Sequence, residues 1–383
     1  MPGIQAAFTL NPNEIFGSLA NMFISQQVFA DNIGKHQTLV DKARVDGGLY
    51  GDKKLYYATD VLKSVPWGPS ASGMDAEAAN LLAIDRPDDP KVQDITLDVF
   101  RQIRLTIDNY LSKRAWSNEG AFSSFQSVML GWMRETKRIY DGTLYNVFIG
   151  TTESNVGKQE QAIDLTTGLS GLSGIEKDRK EAELIAQAIA DLLVEMGDYN
   201  RDFNDYEFLR SYANESIKVV WNSKYINKIR KVDLPTIFHK EGLIDKFEED
   251  VMPNRYFGRA IAASDIGSGK VIGADGAYDS TKGTLHAAKE FDYNNVHYFP
   301  GQELATSGTY VAVVGGLDAK DVYLEDAKVI CKVLVKLPPM MSAFEVGTSF
   351  FNARSLTENH YLTWGHNTLA YLKNYPFITI REE

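Results

Sequence analysis

The chain has 383 residues, a formal net charge of -11 at pH 7 and one cysteine. This length allows two or three domains with a sizeable buried core. The negative charge argues against a protein that holds nucleic-acid phosphates on a basic face. A single cysteine excludes an intrachain disulfide and the usual zinc cluster.

The first residues, MPGIQAAFTLNPNE, do not combine a basic region with an apolar block. No stretch approaches about 18 uninterrupted apolar residues, which is the length that a membrane-spanning helix needs. We therefore expect a soluble chain without a signal peptide and without a membrane partner.

Residues 1–40 carry almost no charge but are rich in large apolar side chains, among them Phe16, Phe23 and Phe29. The sequence NPNE (11–14) is typical of a helix start, with proline at the first helical position. A segment this apolar must be covered, either by its own domain or by a neighbouring subunit. We favour the neighbour, because chain termini are usually loose unless they are tied down.

Residues 41–92 change character. Turn glycines separate short strand-like runs that include Tyr50, Tyr56 and Tyr57, and a region rich in Pro, Gly, Ser and Asp follows, with Trp67 inside it. About fifty residues without a core pattern are too long for an ordinary connection. The segment is either a disordered insert or an extended hairpin that is buried by another molecule, and the short strands favour the hairpin.

Apolar residues alternate from Val92 to Ile107, which predicts one strand with a single buried face. A long amphipathic helix is predicted next, at about 118–148, with Trp132, Ile139 and Tyr140 on its apolar face and Lys137 on its polar face. The alternative is a shorter core helix broken near Gly131 or Gly142, since glycine weakens a helix.

The rest of the chain mixes helices and strands, which predicts an α+β fold. A polar loop is predicted at 150–174, and a second helix is predicted to be capped by Asp178 and to end at Gly197. A long Gly- and Asp-rich insert is expected at 262–308. The other predicted elements are strands at 217–221, 247–261, 310–314, 327–337, 344–352 and 358–380, a short basic helix at 222–231, and extended chain at 233–238.

No pattern of catalysis, cofactor binding or metal binding emerges. Gly267-Ser268-Gly269-Lys270 resembles part of a phosphate-binding loop, but Val271 follows where a hydroxyl is needed for magnesium. The six histidines lack metal-site spacing, and Cys331 lies in an apolar run, where it should be a small core residue. We expect no catalytic residue, no cofactor and no metal, and therefore no enzyme.

The order of these parts resembles the major capsid proteins of tailed bacteriophages, whose shared architecture is called the HK-ninety-seven fold. The closing stretch NHYLTWGHNTLA (359–370) is similar to the final strands of coat proteins from small short-tailed phages. Residues 216–229, followed by DLP (233–235) and NRYFG (254–258), are similar to the axial-domain order of such coats. The resemblance is one of layout over nearly the whole chain, and the insert at 262–308 departs from it.

The resemblance implies a division into named parts. Residues 1–41 would be an N-terminal arm, and 42–91 the extended loop that the family calls the E-loop. Residues 92–177 and 357–383 would form the peripheral domain, with the long helix as its spine. Residues 178–356 would form the axial domain, with the insert at 262–308.

The resemblance also implies a function. The chain would be a structural protein that assembles into an icosahedral shell of hexamers and pentamers around double-stranded DNA. Scaffolding, portal and decoration proteins would be further partners, and the packaged DNA would be contacted weakly. The chain would assemble in the cytoplasm of a host bacterium and end in the virion capsid. The residues expected to contact neighbouring subunits are Phe16, Phe23, Phe29, Tyr50, Tyr56, Tyr57 and Trp67.

Three other functions remain open from the sequence. An encapsulin-type shell protein shares the fold but encloses enzymes instead of DNA. A cytosolic α/β enzyme would place its site in the loops of 262–308. A β-rich binding module of a phage tail would be a trimer and would form no shell.

Overall fold

The computed structural model describes residues 39–47, 53–64, 86–108, 119–154, 159–166, 168–231, 248–261, 284–293, 295–304 and 321–383. The chain divides into two compact units. The first comprises Met1–Asp52, Thr96–Asn146 and Pro339–Leu369. The second comprises Lys53–Ile95, Val147–Pro338 and Ala370–Glu383.

The described residues form both helices and strands, so the predicted α+β class is confirmed. The helices are α1 (Leu39–Ala43), α2 (Glu119–Thr151), α3 (Ile175–Gly197) and α4 (Ser223–Lys231). The strands are β1 (Arg44–Asp46), β2 (Lys54–Ala58), β3 (Lys91–Ile95), β4 (Leu97–Asp108), β5 (Glu160–Ile163), β6 (Lys218–Asn222), β7 (Glu248–Met252), β8 (Gly258–Ala260), β9 (Leu285–Ala287), β10 (Phe291–Tyr293), β11 (Val296–Tyr298), β12 (Val322–Glu325), β13 (Val329–Leu334), β14 (Met340–Asn352), β15 (Thr357–Asn367) and β16 (Phe377–Glu382).

The first unit is built on a four-stranded sheet with the order β1–β14–β15–β4. The long strands β14 and β15 form an antiparallel hairpin, and β4 pairs with β15 along its whole length. On the other side of β14, β1 pairs in parallel over three residues only. Most of β14 is therefore an edge strand within the described part of the chain.

The predicted long helix is confirmed. Helix α2 has 33 residues and continues through Gly131 and Gly142 without a break. Its buried face matches the predicted one only in part: Tyr140 is buried as predicted, but Trp132 and Ile139 are exposed and Lys137 is buried. Hydropathy alone misplaces this face because it cannot detect that the buried charge has a partner.

The predicted single strand from Val92 to Ile107 is wrong. The chain forms two strands that are separated at Thr96 and belong to different sheets, since β3 pairs with β2 and β4 pairs with β15. The alternation of apolar residues persists through the break, so the sequence pattern does not reveal the change of partner.

The second unit contains a five-stranded sheet with the order β5–β16–β13–β6–β7. Helix α3 packs one face against this sheet and forms the largest described core, with Ile185, Ile189 and Leu192 beside Val219 and Val333. Burial of these apolar side chains stabilises the fold by roughly 1.5–3 kcal/mol for each of the larger ones.

Helix α3 does not begin as the sequence predicts. Asp178 is not the capping residue, because its backbone N–H already donates to Gly174 O at 3.2 Å inside the first turn. The helix starts at Ile175, after Gly174, whose φ of 60° suits a residue without a Cβ. Asp178 instead places its charge in the first turn, where the helix dipole favours a carboxylate. The predicted end at Gly197 is confirmed.

Part of the predicted insert belongs to regular structure. Strand β9 pairs with β12, which also pairs with β8, and together they form a three-stranded sheet in the second unit. Leu285 and Ala287 of this segment are buried with Val322 and Leu324. Two further strands, β10 and β11, form a hairpin beside it. The glycine-rich composition of the insert gives little indication of these short strands.

The division into arm, E-loop, peripheral domain and axial domain stays a prediction. Its boundary at 356 and 357 falls in the turn between the paired strands β14 and β15. The last strand, β16, pairs with β13 and β5 in the second unit.

A buried lysine lies at the centre of the second unit. Lys332 is on the central strand β13, is 0% exposed, and lies on the face of the sheet opposite Cys331. Its ammonium group donates to Thr379 Oγ1 at 2.7 Å and to Thr152 O at 2.9 Å, just beyond the last residue of α2. A positive charge at this position also complements the negative end of the helix dipole.

Burial in the sheet lowers the pKa of Lys332 to about 7 from its ordinary value of 10.5. The folded state therefore binds fewer protons than the unfolded state between these two values, and stability rises with pH across this range. Below pH 7 the buried amino group is charged in the folded state as well, so the gain in stability that comes from keeping it neutral is lost.

We predict that Lys332→Met removes this pH dependence. In the native chain the free energy of unfolding should rise between pH 7 and 10 by as much as about 1.4 kcal/mol per pH unit relative to the variant. Denaturant unfolding at a series of pH values measures the difference. The exposed Lys328→Met is the control and should keep the native slope; equal slopes in all three proteins would contradict the account.

The close approach of α2 to the turn at Asn254–Tyr256 requires a glycine. A Cβ at Gly150 would lie 2.0 Å from Tyr256 O, whereas a Cβ at Gly131 would meet no atom within 4 Å. Both glycines are inside the same helix. We predict that Gly150→Ala lowers the free energy of unfolding by about 1–3 kcal/mol or more, because backbone must move.

Gly131→Ala should instead raise the free energy of unfolding by about 0.5–1 kcal/mol, because alanine is the better helix former. Urea unfolding of the two variants tests the pair. Effects of the same sign and size would show that the packing around Gly150 is not as described.

Candidate assembly surfaces

The described residues bring together no group of three or more His, Cys, Asp or Glu side chains that could hold a metal ion. Cys331 is buried, and its burial raises the pKa of the thiol well above the ordinary value, so it is a poor nucleophile. The prediction that Cys331 is a core residue is confirmed. No helix of the described residues is long and apolar enough to cross a membrane.

Two surfaces of the described residues are candidate sites, and contacts within each unit hold them in place. In the first unit, the carboxylate of Asp141 on α2 is buried and accepts a hydrogen bond from Arg44 of β1 at 3.2 Å. Lys137, one turn earlier, donates to Glu345 of β14 at 2.9 Å. These contacts join α2 to two strands of the sheet. Burial raises the pKa of Asp141, although Lys137, Arg44 and His366 act in the opposite direction.

An aromatic contact lies beside these ion pairs. The hydroxyl of Tyr140 is 3.1 Å from His366 Nε2, and the Tyr140 ring meets Trp364 edge-on at 5.9 Å between centroids. Burial lowers the pKa of His366, so its ring is neutral near pH 7. The guanidinium of Arg101 lies 4.9 Å from the Tyr140 ring centroid. Helix α2 is thus fixed to β15 and β4 by specific contacts as well as by apolar packing.

In the second unit, β2 and β3 form a two-stranded antiparallel ribbon. The extended hairpin expected within residues 41–92 stays a prediction. Gln93 anchors the ribbon, since its Nε2 donates to Tyr371 O and its Oε1 accepts from Lys373 N, both at 2.9 Å. Beyond β2, the carboxylate of Asp60 accepts from Arg201 at 2.6 Å and from Leu209 N at 3.0 Å. These bonds lower the pKa of Asp60 to about 2.

The two faces of this ribbon differ. Tyr56 points inward, with Lys336 Nζ 5.4 Å from its ring centroid, and it lines a small cavity with Tyr375. Tyr57 points outward and is 64% exposed, directly opposite the exposed Val92 and next to the exposed Leu55 on the same face. We call Leu55, Tyr57 and Val92 the ribbon face. An uncovered apolar face of this kind is typical of a contact with another molecule.

The sequence analysis predicts that Tyr56 and Tyr57 both contact a neighbouring subunit. In the structure the two side chains point to opposite faces of the ribbon, because adjacent residues of a strand alternate. Contact of either residue with a neighbouring subunit stays a prediction. The other predicted contact residues lie outside the described residues: Phe16, Phe23, Phe29, Tyr50 and Trp67.

A second apolar surface lies on the β14–β15 hairpin of the first unit. Phe350 is 63% exposed and Phe351 is 51% exposed, although adjacent residues of a strand point to opposite faces. Every residue from 345 to 351 is exposed. Sequence reasoning places this stretch in a strand but does not single it out, because the alternation of a strand does not show that both of its faces lack cover.

An open groove of about 360 Å³ lies between α2 and this hairpin, lined in part by Met133, Arg134, Glu345 and His360. It lacks the enclosed, mostly apolar lining that is typical of a small-molecule site. We therefore treat it as part of the surface of the first unit.

Comparison with solved structures identifies the fold. A chain in the capsid structure of Staphylococcus phage Andhra is similar with a TM-score of 0.55 and 8% identity, over 90% of this chain and 84% of that one. A chain in the structure of the head fiber and inner core protein gp22 of native bacteriophage P68 is similar with a TM-score of 0.54 and 9% identity, over 91% of this chain and 88% of that one. No protein-family model and no curated protein matches the sequence.

These likenesses concern the fold alone, because the sequence identities are only 8% and 9%. They confirm the predicted HK-ninety-seven-like fold. The role of α2 as the spine of a peripheral domain stays a prediction. The fold is thus one that a phage capsid chain also adopts, although fewer than one residue in ten is shared.

We predict that Arg44→Met destabilises the chain by about 1–3 kcal/mol, because it leaves the Asp141 carboxylate buried without its strand partner. Asp141→Asn in the same background should recover part of this loss, since the side chain at 141 is then uncharged and Lys137 keeps Glu345 as its partner. Urea unfolding of the two single variants and the double variant measures the coupling. Effects that add without coupling would contradict a direct contact between the two side chains.

Proposed function

We propose that the chain is the major capsid protein of a tailed bacteriophage. Many copies assemble into an icosahedral shell of hexamers and pentamers that encloses a double-stranded DNA genome. The observation that carries the proposal is the likeness of fold, over nine-tenths of the chain, to a chain in a phage capsid structure. A shell subunit has a structural role, and the proposal assigns the chain no catalysis.

The surfaces of the described residues suit a subunit that is completed by its neighbours. The ribbon face is apolar and uncovered, yet the ribbon is held firmly by Gln93 and Asp60. A rigid support beneath an apolar face lowers the entropy lost on association. The residues that the resemblance assigns to the arm and to the rest of the E-loop, including Phe16, Phe23, Phe29, Tyr50 and Trp67, would add to these contacts.

The charge of the chain suits a container for DNA. A net charge of -11 disfavours tight binding of phosphates, so packaged DNA would be contacted weakly. Scaffolding, portal and decoration proteins are further proposed partners. The subunit would assemble in the cytoplasm of the host bacterium and reside in the virion. Both likenesses are to chains from phage structures, so we do not propose an encapsulin-type shell, a cytosolic enzyme or a tail module.

We predict that the purified chain, alone or co-expressed with the neighbouring phage proteins, forms closed particles or capsomer-sized rings in negative-stain electron microscopy. Tyr57→Ala should lower the yield of particles at least several-fold, because it removes the largest side chain of the ribbon face. Tyr199→Ala is the control, since Tyr199 is also largely exposed, at 72% against 64% for Tyr57, but lies on the loop after α3.

Sedimentation of the three proteins through a density gradient gives the yields. A chain that stays monomeric under every condition would overturn the proposed function. Particles with equal yields from Tyr57→Ala and the native chain would leave a shell protein but remove the ribbon face from its contacts.

A further inference from the structure

Most of one edge of strand β14 has no paired strand among the described residues. Of the described strands, only β1 pairs with this side of β14, and it covers Met340–Ser342 alone. Further along β14, the seven residues 345–351 are exposed and contain no proline. Edge strands of this length normally carry lysine, proline or a covering loop, because their free N–H and C=O groups otherwise recruit another strand.

The charge pattern of this edge fits a copy of itself. From Val346 to its end at Asn352 the strand carries no charge. The one charged residue at its start, Glu345, is already paired with Lys137 at 2.9 Å. Two copies of a charged edge would repel each other, because like charges would lie opposite one another. Two copies of the uncharged β14 edge can approach without this repulsion.

The order of the side chains selects one register. A two-fold axis normal to the sheet leaves each side chain on the same face of the sheet. Residues that pair across this axis therefore have numbers that are both even or both odd. Val346, Thr348 and Phe350 lie on the sheet face that carries Gln102, Arg104 and Thr106. A two-fold axis at Thr348, the middle residue of 345–351, pairs Val346 of each copy with Phe350 of the other. It likewise pairs Gly347 of each copy with Ser349 of the other. Aromatic and β-branched residues are favourable cross-strand partners.

We propose that two copies of the chain pair through the β14 edge, antiparallel about a two-fold axis at Thr348. The pairing joins two four-stranded sheets into one of eight strands and covers Val346 and Phe350, which are now 43% and 63% exposed. An interface on a two-fold axis presents the same patch from both copies, and the uncharged edge meets that requirement. This inference rests on the proposed function, because it names one contact between the copies of a shell.

Three variants, each with one cysteine added at Gly347, Thr348 or Ser349, test the register. Directly opposed residues in antiparallel strands have Cα atoms about 4.5–5.5 Å apart, which a disulfide can bridge. Thr348 opposes itself, so Thr348→Cys should form a covalent dimer on mild oxidation. Gly347→Cys and Ser349→Cys should not, since each is displaced from its own copy by two residues, or about 7 Å, along the strand. The native Cys331 is buried and does not interfere.

The three variants are matched in position and exposure, and a Cβ at Gly347 meets no atom within 4 Å. Non-reducing electrophoresis of soluble protein and of particles gives the readout. A dimer from Thr348→Cys alone supports the proposal. Equal crosslinking of all three variants, or none from Thr348→Cys, overturns it.

A second pair of variants tests the edge without new cysteines. Thr348→Lys places two like charges on the axis and should weaken association of the copies by about tenfold or more. Thr106→Lys makes the same change at an exposed position on β4, the opposite edge of the sheet, and should have no such effect. Equal effects of the two lysines would count against the β14 edge.

The result separates this inference from the proposed function. Particles that form normally while Thr348→Cys fails to crosslink would reject the edge pairing and leave the shell protein intact. Dimers of Thr348→Cys without any particle would support the pairing and reject the shell.

Discussion

The end of helix α2 is held by the buried amino group of one lysine. Lys332 lies on the middle strand of the five-stranded sheet and donates both to Thr152 O, just past the helix, and to Thr379 on the neighbouring strand. A buried charge is costly unless its donors are satisfied, so the position of the helix end and the register of β13 with β16 are fixed together. The close approach at Gly150 and the contact of Phe148 with Phe377 depend on the same placement.

The first unit uses the same principle with carboxylates. Asp141 and Lys137 are buried on α2 and meet charges on β1 and β14. Apolar burial drives the helix onto the sheet, and the ion pairs determine which of its faces is turned inward. With both units specified internally, the ribbon face and the β14 edge are left over as uncovered surface. A subunit that needs neighbours is the simplest physical reason for that excess, and it is what the proposed shell supplies.

The sequence predicts the elements whose signal is local and periodic. Helix α2, the end of α3, β6 with α4, and the buried position of Cys331 all follow from apolar spacing and from glycine as a helix terminator. The α+β class and the capsid-like fold follow from the order of these elements.

The remainder depends on partners far apart in the chain. The predicted buried face of α2 is wrong in part because the sequence places Lys137 on the polar face. Only the structure shows that its partner Glu345, 208 residues later, lies beside it. The break at Thr96 is hidden because both strands alternate alike while they pair with different sheets. The division of Tyr56 and Tyr57 between two faces could have been predicted from strand alternation. The exposure of both faces of β14 could not have been predicted, because it depends on which other elements pack against the strand.

The most direct test of the account is a cryo-electron microscopy reconstruction of particles made from this chain, with icosahedral symmetry imposed and then relaxed. The account predicts that α2 is continuous in every subunit and that Leu55, Tyr57 and Val92 are covered by a neighbouring copy. A closed shell in which the ribbon face remains in contact with solvent would contradict the proposed role of that face. The absence of any symmetrical particle would contradict the assignment as a capsid subunit.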